Sequence, residues 1–196
     1  MAMCSSVWIF TQAYTIVLSR ILTLLFKIIS EKLEHDILSN GSTIPPNFQR
    51  LRLLHLKLSK LVSELDKDLG WFYAANIGFG TGLGVFTLYQ IMKTTMDMFL
   101  LIMFVFWLLS SLAIIGFAAT FAAFLHDAAH GPLEHVYDIN VQDISMEKLA
   151  QVNLFLSKLT GTQIGFTTCG LLTINKEFIL TIAGVFLTYF TVLYTL

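Results

Sequence analysis

The chain has 196 residues, of which 56% are hydrophobic and 13% are charged, and its formal net charge is −1. Its mean hydropathy of +0.73 is concentrated in long uncharged runs, which excludes the soluble globular class. No basic patch is present, so we expect no nucleic-acid partner. The composition predicts an all-α, polytopic bundle of transmembrane helices with helical extensions into the cytosol.

The first predicted transmembrane span covers residues 1–29 and is interrupted by Arg20. A charge at mid-membrane is costly, so two interpretations are open. Either the Arg20 side chain reaches toward the interface beside Lys27, or it faces a cavity and has a functional role.

Residues 30–69 are predicted to form a cytosolic loop followed by an amphipathic helix. Leucines recur at steps of three and four between charged residues in the second part of this segment. This pattern is typical of a helix in water that packs along one seam. The predicted seam contains Leu51, Leu54, Leu58, Leu61 and Leu65.

The second predicted span, residues 70–92, contains four glycines at alternate positions. In a helix they form two overlapping G-x-x-x-G pairs, Gly78 with Gly82 and Gly80 with Gly84. Such pairs allow neighbouring helices to approach closely in lipid. A hinge or a ligand-shaped notch is the alternative interpretation, whereas the spacing does not fit a phosphate-binding loop.

The rest of the chain is predicted to contain two more spans. Residues 93–97 form a short extracellular turn, so the spans beside it are antiparallel, and residues 98–125 form the most apolar span. Residues 126–174 are predicted to hold a cytosolic loop, a helix capped by Ser145 and a half-helix that leads into the last span. Residues 175–196 are long enough to cross a bilayer, which takes about 20 residues, and Asn175 is predicted to cap this last helix.

Basic residues are distributed unevenly among the connections. Seven lie within residues 27–67 and three within residues 148–176, but only Lys93 lies in the connection between the second and third spans. The positive-inside rule therefore places the first and third connections in the cytoplasm and both termini outside. We expect a multi-pass protein of the plasma membrane with an extracellular C-terminus.

The small and polar residues of the last span follow one helix face, because they are separated by steps of three and four. This stripe consists of Thr181, Gly184, Thr188, Thr191 and Thr195. The opposite side carries Ile182, Phe186, Tyr189 and Leu193. A stripe of this kind fits either the lining of a pore or a packing face against another helix, and the residues alone favour neither.

His126 and His130 are four residues apart, a spacing that can bind a metal on a helix. The segment around them resembles the first histidine box of membrane fatty-acid desaturases. That family needs three boxes, and this chain has five histidines, two of which are isolated. We therefore expect no metal, no cofactor and no enzymatic activity, and a metal-dependent membrane enzyme centred on these two residues is the weakest alternative.

A motif lies near the end of the chain. Residues 166–170 read Phe-Thr-Thr-Cys-Gly, Ile174 and Asn175 follow, and Thr188 and Tyr189 lie in the last span. These residues resemble the C-terminal region of arthropod gustatory receptors. That family ends in Thr-Tyr, five apolar residues and Gln-Phe, whereas this chain has Thr195 and Leu196 at the last two positions.

Members of the gustatory receptor family have seven spans, and the four spans predicted here resemble spans four to seven. The resemblance implies either a truncated gene model or a genuinely short relative. It also implies a ligand-gated, non-selective cation channel that is opened by small-molecule tastants. The subunits would form a homo- or hetero-tetramer with other receptor subunits, with the stripe of the last span lining a central pore in the membrane lipid.

A ligand pocket is expected in the outer half of the bundle, where aromatic side chains and a few polar groups suit small ligands. The candidates are Trp8, Gln12, Tyr14, Phe86, Tyr89, Gln90 and Phe104. The alternative to a channel is a non-conducting structural or regulatory multi-pass membrane protein whose stripe packs against a partner.

Overall fold

The computed structural model describes residues 2–41, 43–140 and 144–195, with the side chains of the first helix described from Ile9 onward. Within these residues the fold is all-α, as predicted, and the only extended pairing is one isolated bridge. The helices are α1 (Ala2–Ser39), α2 (Phe48–Lys93), α3 (Met98–His130), α4 (Pro132–Tyr137), α5 (Met146–Gly161) and α6 (Lys176–Thr195).

The first helix continues ten residues past the end of the predicted span, so the prediction of a loop from residue 30 is wrong. Glu31, Lys32 and Glu34 are exposed there, whereas Leu33 and Ile37 are buried. The structure has two hydrophobic cores, and the main one lies between α1, α2 and α3. Leu33 and Ile37 pack with residues of α2, α4 and α5 in the second core. The connection to α2 is confined to residues 40–47, where Gly41 adopts a φ of 65°.

The second helix is continuous over 46 residues, so the predicted amphipathic helix runs directly into the predicted second span. At a rise of 1.5 Å per residue it is roughly 70 Å long. Its buried seam includes Leu51, His55, Leu58 and Val62, at steps of four, three and four. Leu54 and Leu61 were placed in this seam by the sequence pattern but are exposed.

One of the two glycine pairs makes the predicted close contacts. A Cβ atom at Gly80 would lie 2.8 Å from the side chain of Ile115 on α3, and one at Gly84 would lie 2.8 Å from Phe186 on α6. Gly78 and Gly82 have no neighbour within 4 Å of that position. The Gly80 and Gly84 face therefore holds α2 against both α3 and α6.

Three helical segments of the described chain are long and apolar enough to cross a membrane: Ile9–Ser39, Met98–Tyr137 and Lys176–Thr195. The predicted second span, residues 70–92, is not among them. Its glycines and Asn76 lower its mean hydropathy, and its assignment as a span stays a prediction. The three apolar segments identify a membrane protein.

His55 joins the two cores of the molecule. Its ring is 1% exposed, and its Nε2 lies 2.9 Å from the Ala129 carbonyl oxygen at the end of α3. Phe26 and Phe155 contact the ring edge to face, each at 5.1 Å between centroids. Since these aromatic residues belong to α1 and α5, His55 connects four helices at one level of the bundle.

We expect His55 to make folding stability depend on pH. Burial lowers the pKa of His55 below 6.5, and the hydrogen bond to Ala129 opposes this shift only in part. Since the unfolded chain binds the proton more readily, stability is complete above about pH 6.5 and falls below it. The thermal unfolding midpoint in detergent should decrease when the pH is lowered from about 7.5 to about 5.5. The His55→Gln protein should show a smaller decrease over the same pH range.

His35→Gln is the matched control, because the His35 side chain is 82% exposed. This variant should keep the full pH dependence of the unmodified protein. An equal fall of the midpoint in the His55→Gln and His35→Gln proteins would contradict the assignment.

Candidate functional site

The start of α6 is fixed by a side-chain cap and an ion pair. The Asn175 Oδ1 accepts a hydrogen bond from the Phe178 backbone N–H at 2.9 Å, as the sequence predicted. Lys176 Nζ lies 2.6 Å from Asp127 Oδ2 at the end of α3. Glu177 lies in the first turn, where its negative charge interacts favourably with the positive end of the helix dipole.

The two faces of α6 have different environments. Ile182 packs against the main core, Phe186 contacts Gly84, and Leu193 is buried. The predicted stripe lies on the other face, and all its members are exposed in the single chain: Thr181, Gly184, Thr188, Thr191 and Thr195. The stripe is therefore available to water, lipid or another subunit.

The hydroxyl groups of the stripe are bonded to the backbone of their own helix. Thr181 donates to the Glu177 carbonyl oxygen at 2.9 Å, Thr191 donates to Leu187 at 2.9 Å, and Thr195 donates to Thr191 at 3.1 Å. Each hydroxyl oxygen keeps lone pairs that can accept hydrogen bonds or face a cation. A shallow groove of about 510 Å³ is lined by Thr181, Gly184 and Thr188 of the stripe and by Val185, Tyr189 and Val192 beside it. Thr188 and Tyr189 are the two matched motif residues.

A tight hairpin precedes α6 where the sequence predicted a half-helix, and that prediction is wrong. Thr167 and Thr173 form an antiparallel bridge, and Ile174 donates to the Phe166 carbonyl oxygen at 2.9 Å. Cys169 and Gly170 at the turn have φ values of 55° and 73°, as in a type I′ turn. We call residues 166–174 the 166–174 hairpin.

The 166–174 hairpin is held under α2 by Asp66. Its carboxylate accepts hydrogen bonds from the Thr167 backbone N–H at 2.6 Å and from the Thr167 hydroxyl at 2.7 Å. The Thr167 hydroxyl oxygen in turn accepts from the Gly170 N–H at 2.7 Å. We call this network the Asp66–Thr167 clasp, and it ties α2 to the segment that enters α6.

Two further contacts seat the 166–174 hairpin. The Cys169 N–H donates to the Gly70 carbonyl oxygen at 3.3 Å, and a Cβ atom at Gly70 would lie 3.3 Å from that nitrogen. Phe166 is fully buried and stacks on Tyr73 with 5.2 Å between ring centroids. Gly70 therefore permits a close approach of α2 to the hairpin backbone.

The two histidines of the H-x-x-x-H spacing contact backbone carbonyl oxygens through their ring nitrogens. His126 Nδ1 lies 3.0 Å from the Ile164 carbonyl oxygen. His130 Nδ1 lies 2.8 Å from the His126 carbonyl oxygen, and its Nε2 lies 3.2 Å from Thr162 O. Within the described residues, no group of three or more His, Cys, Asp or Glu side chains forms a metal site. These histidines hold the segment around Thr162 and Ile164 that leads into the hairpin.

An apolar cavity of about 530 Å³ lies between α1, α2 and α3. The Asn76 side chain lines it, is 1% exposed, and has no hydrogen-bond partner for either amide atom in the described structure. The other lining residues are Ile9, Phe79, Gly80, Leu83, Trp107, Ser110, Ser111, Ile114 and Ile115. A buried amide without a partner is costly, so this cavity suits a small, mostly apolar ligand with one polar group.

Few of the residues predicted to form a ligand pocket come together. Gln12 is buried on α1, and its amide also has no partner within the described residues. Tyr14, Phe86 and Tyr89 are exposed, Gln90 accepts from Thr94, and none of these nor Phe104 lines the Asn76 cavity. The side chain of Trp8 lies outside the described residues. Asn76 was missed, although a lone amide beside a glycine-rich helix stretch was the available signal.

Comparison with known proteins assigns the chain to a family. Residues 2–194 match the model of the 7tm chemosensory receptor family, which is consistent with the resemblance to arthropod gustatory receptors. No curated protein matches the chain. Because the match covers nearly every residue, including α1, the 166–174 hairpin and α6, the chain belongs to the 7tm chemosensory receptor family.

Proposed function

We propose that this chain is a subunit of a ligand-gated, non-selective cation channel that responds to small-molecule tastants. The outward stripe of α6 carries the proposal, since one face of this helix packs on its own bundle and the hydroxyl face does not. Four such helices around an axis would give a pore lined by hydroxyl oxygens, with small residues that let it widen. We place the channel in the plasma membrane as a homo- or hetero-tetramer, with the C-terminus outside.

Ligand binding is proposed to occur in the Asn76 cavity. Gly80 and Ile115 form part of its wall and are in close contact across the α2–α3 interface. Gly84, one turn further along α2, contacts Phe186 on α6. A ligand that separates α2 from α3 would therefore change the packing of α6. Such a ligand shifts the channel toward the open state if it binds the open conformation more tightly than the closed one.

The test is replacement of Thr188 or Thr191 by leucine in protein expressed with full-length receptor subunits. Each variant should reduce ligand-evoked current by about tenfold, equivalent to roughly 1.4 kcal/mol on the conduction barrier, and should alter ion selectivity. Thr160→Leu, at an exposed position on α5, makes the same chemical change away from α6 and should leave current intact. Unchanged current and ion selectivity in both α6 variants would contradict the pore assignment.

A non-conducting structural or regulatory membrane protein is the second candidate. It is favoured by the hydroxyl groups of Thr181, Thr191 and Thr195, which are satisfied within their own helix. A face of this kind can pack against another helix without water, as small residues commonly do in lipid. Purified protein that never conducts in bilayers, with or without receptor subunits, would support this candidate.

A further inference from the structure

A groove of about 500 Å³ lies between α1 and α3, at the end of the bundle opposite the α2–α3 turn, and we call it the α1–α3 groove. It is separate from the Asn76 cavity and from the groove on α6, since it shares no lining residue with either. Its lining residues are Arg20, Thr23, Leu24, Lys27, Ser30, Phe121, Phe124, Asp127, Ala128 and Gly131.

The charges of this groove do not balance. Arg20 and Lys27 lie two helical turns apart on α1, about 10 Å along the axis. Neither forms an ion pair with a carboxylate of the described chain. Asp127 also lines the groove, but Lys176 Nζ lies 2.6 Å from its Oδ2. Two positive charges therefore line the groove without a carboxylate partner among the described residues.

The position of Arg20 makes its missing partner costly. Arg20 lies inside the apolar segment Ile9–Ser39, and α3 carries no charged residue between its start and Asp127. A cation in such a segment is costly unless it reaches water, pairs with an anion or a backbone carbonyl, or packs on an aromatic face. The Arg20 Cζ atom lies 5.8 Å from the centroid of the Phe121 ring, so an aromatic face covers one side of the guanidinium group.

The remaining wall of the groove is apolar. Leu24 and Phe124 are 55% and 47% exposed in the single chain and lie beside the two cations. A groove that combines a row of cations with an exposed apolar wall matches a molecule with an anionic head and a hydrocarbon tail. Anionic lipids are concentrated in the cytoplasmic leaflet, and the basic end of this bundle is proposed to face that leaflet.

We propose that the α1–α3 groove binds an anionic phospholipid. The headgroup phosphate lies between the Arg20 guanidinium group and the Lys27 ammonium group, and an acyl chain lies along Leu24, Phe121 and Phe124. This proposal gives Arg20 a binding role in the groove that it lines. It rests on the proposed orientation but not on channel activity.

The test is native mass spectrometry of the purified full chain with phosphatidylserine or phosphatidylcholine. The unmodified protein should retain phosphatidylserine selectively. Near a membrane surface each basic residue contributes about 1 kcal/mol, so the double variant Arg20→Gln/Lys27→Gln should weaken phosphatidylserine binding by on the order of 30-fold. Lys57→Gln/Lys60→Gln removes two exposed charges from α2 and should bind phosphatidylserine as the unmodified protein does.

Three outcomes would overturn the proposal. The first is equal retention of phosphatidylserine and phosphatidylcholine by the unmodified protein. The second is equal binding by the two double variants. The third is full competition by glycerophosphoserine, which would show that a free anion rather than a lipid occupies the groove. If the Arg20→Gln/Lys27→Gln protein aggregates, Lys27→Gln alone should weaken binding by about fivefold. Binding is measured without current, so a failed channel assignment would leave this result intact.

Discussion

Asp66→Ala is expected to remove most of the ligand-evoked current while the protein still reaches the cell surface. The substitution deletes both hydrogen bonds that the Asp66 carboxylate accepts from Thr167. Hydrogen bonds to charged groups contribute about 1.5–3 kcal/mol each, and 1.4 kcal/mol is a factor of ten in an equilibrium. Since the hairpin leads directly into α6 through Asn175, the current should fall by at least about tenfold.

Asp68→Ala provides the matched control, because Asp68 is an exposed carboxylate two residues away on the same helix. Current should be recorded in cells whose surface expression of each variant has been measured by labelling. Asp66→Asn should recover part of the current, since an amide can keep one of the two hydrogen bonds to Thr167. Equal currents in the Asp66→Ala and Asp68→Ala proteins at equal surface expression would refute the role of the clasp.

Gly80→Leu is expected to destabilise the bundle strongly. A Cβ atom at this position lies 2.8 Å from two carbons of Ile115, which is 3% exposed and has little space to move. The same substitution disturbs the hydrogen bond of 2.9 Å from the Ser111 hydroxyl to the Gly80 carbonyl oxygen. Overpacking costs about 1–3 kcal/mol, so the thermal midpoint in detergent should fall by roughly 2–12 °C.

Gly78→Leu, two residues earlier on the same helix, is the matched control for Gly80→Leu. Gly78 has open space at its Cβ position, so Gly78→Leu adds the same side chain without a clash. Leucine also has the higher helix propensity, by up to about 1 kcal/mol. The midpoint of the Gly78→Leu protein should therefore stay level or rise. If both variants lose the same stability, the assignment of the Gly80 face to helix packing is wrong.

The features that depended only on helix geometry could be predicted from the sequence. Steps of three and four placed Thr181, Gly184, Thr188, Thr191 and Thr195 on one face of α6, and the structure has them there. The same reasoning predicted the Asn175 cap, which involves residues three apart. The loop predicted from residue 30 failed because charges on the exposed face of a helix resemble those of a loop, while Leu33 and Ile37 continue the buried face.

The contacts that join distant parts of the chain could not be predicted in this way. Asp66 and Thr167 are separated by 101 residues, and neither has a local pattern that indicates the other. The 166–174 hairpin was read as a half-helix because a short apolar run has no decisive period. Its turn also places Cys169 at a positive φ, a conformation that its residue type does not signal.

The most direct test of the pore assignment is cysteine accessibility along α6. Single cysteines would be introduced into a chain in which Cys4 and Cys169 are replaced by serine, expressed with full-length receptor subunits. A water-soluble, charged thiol reagent applied with an activating ligand should block current at Thr188→Cys and Thr191→Cys. It should not block current at Ala183→Cys and Phe190→Cys, which are exposed in the single chain but lie off the stripe. Block at these two positions with none at the two threonine positions would contradict the account.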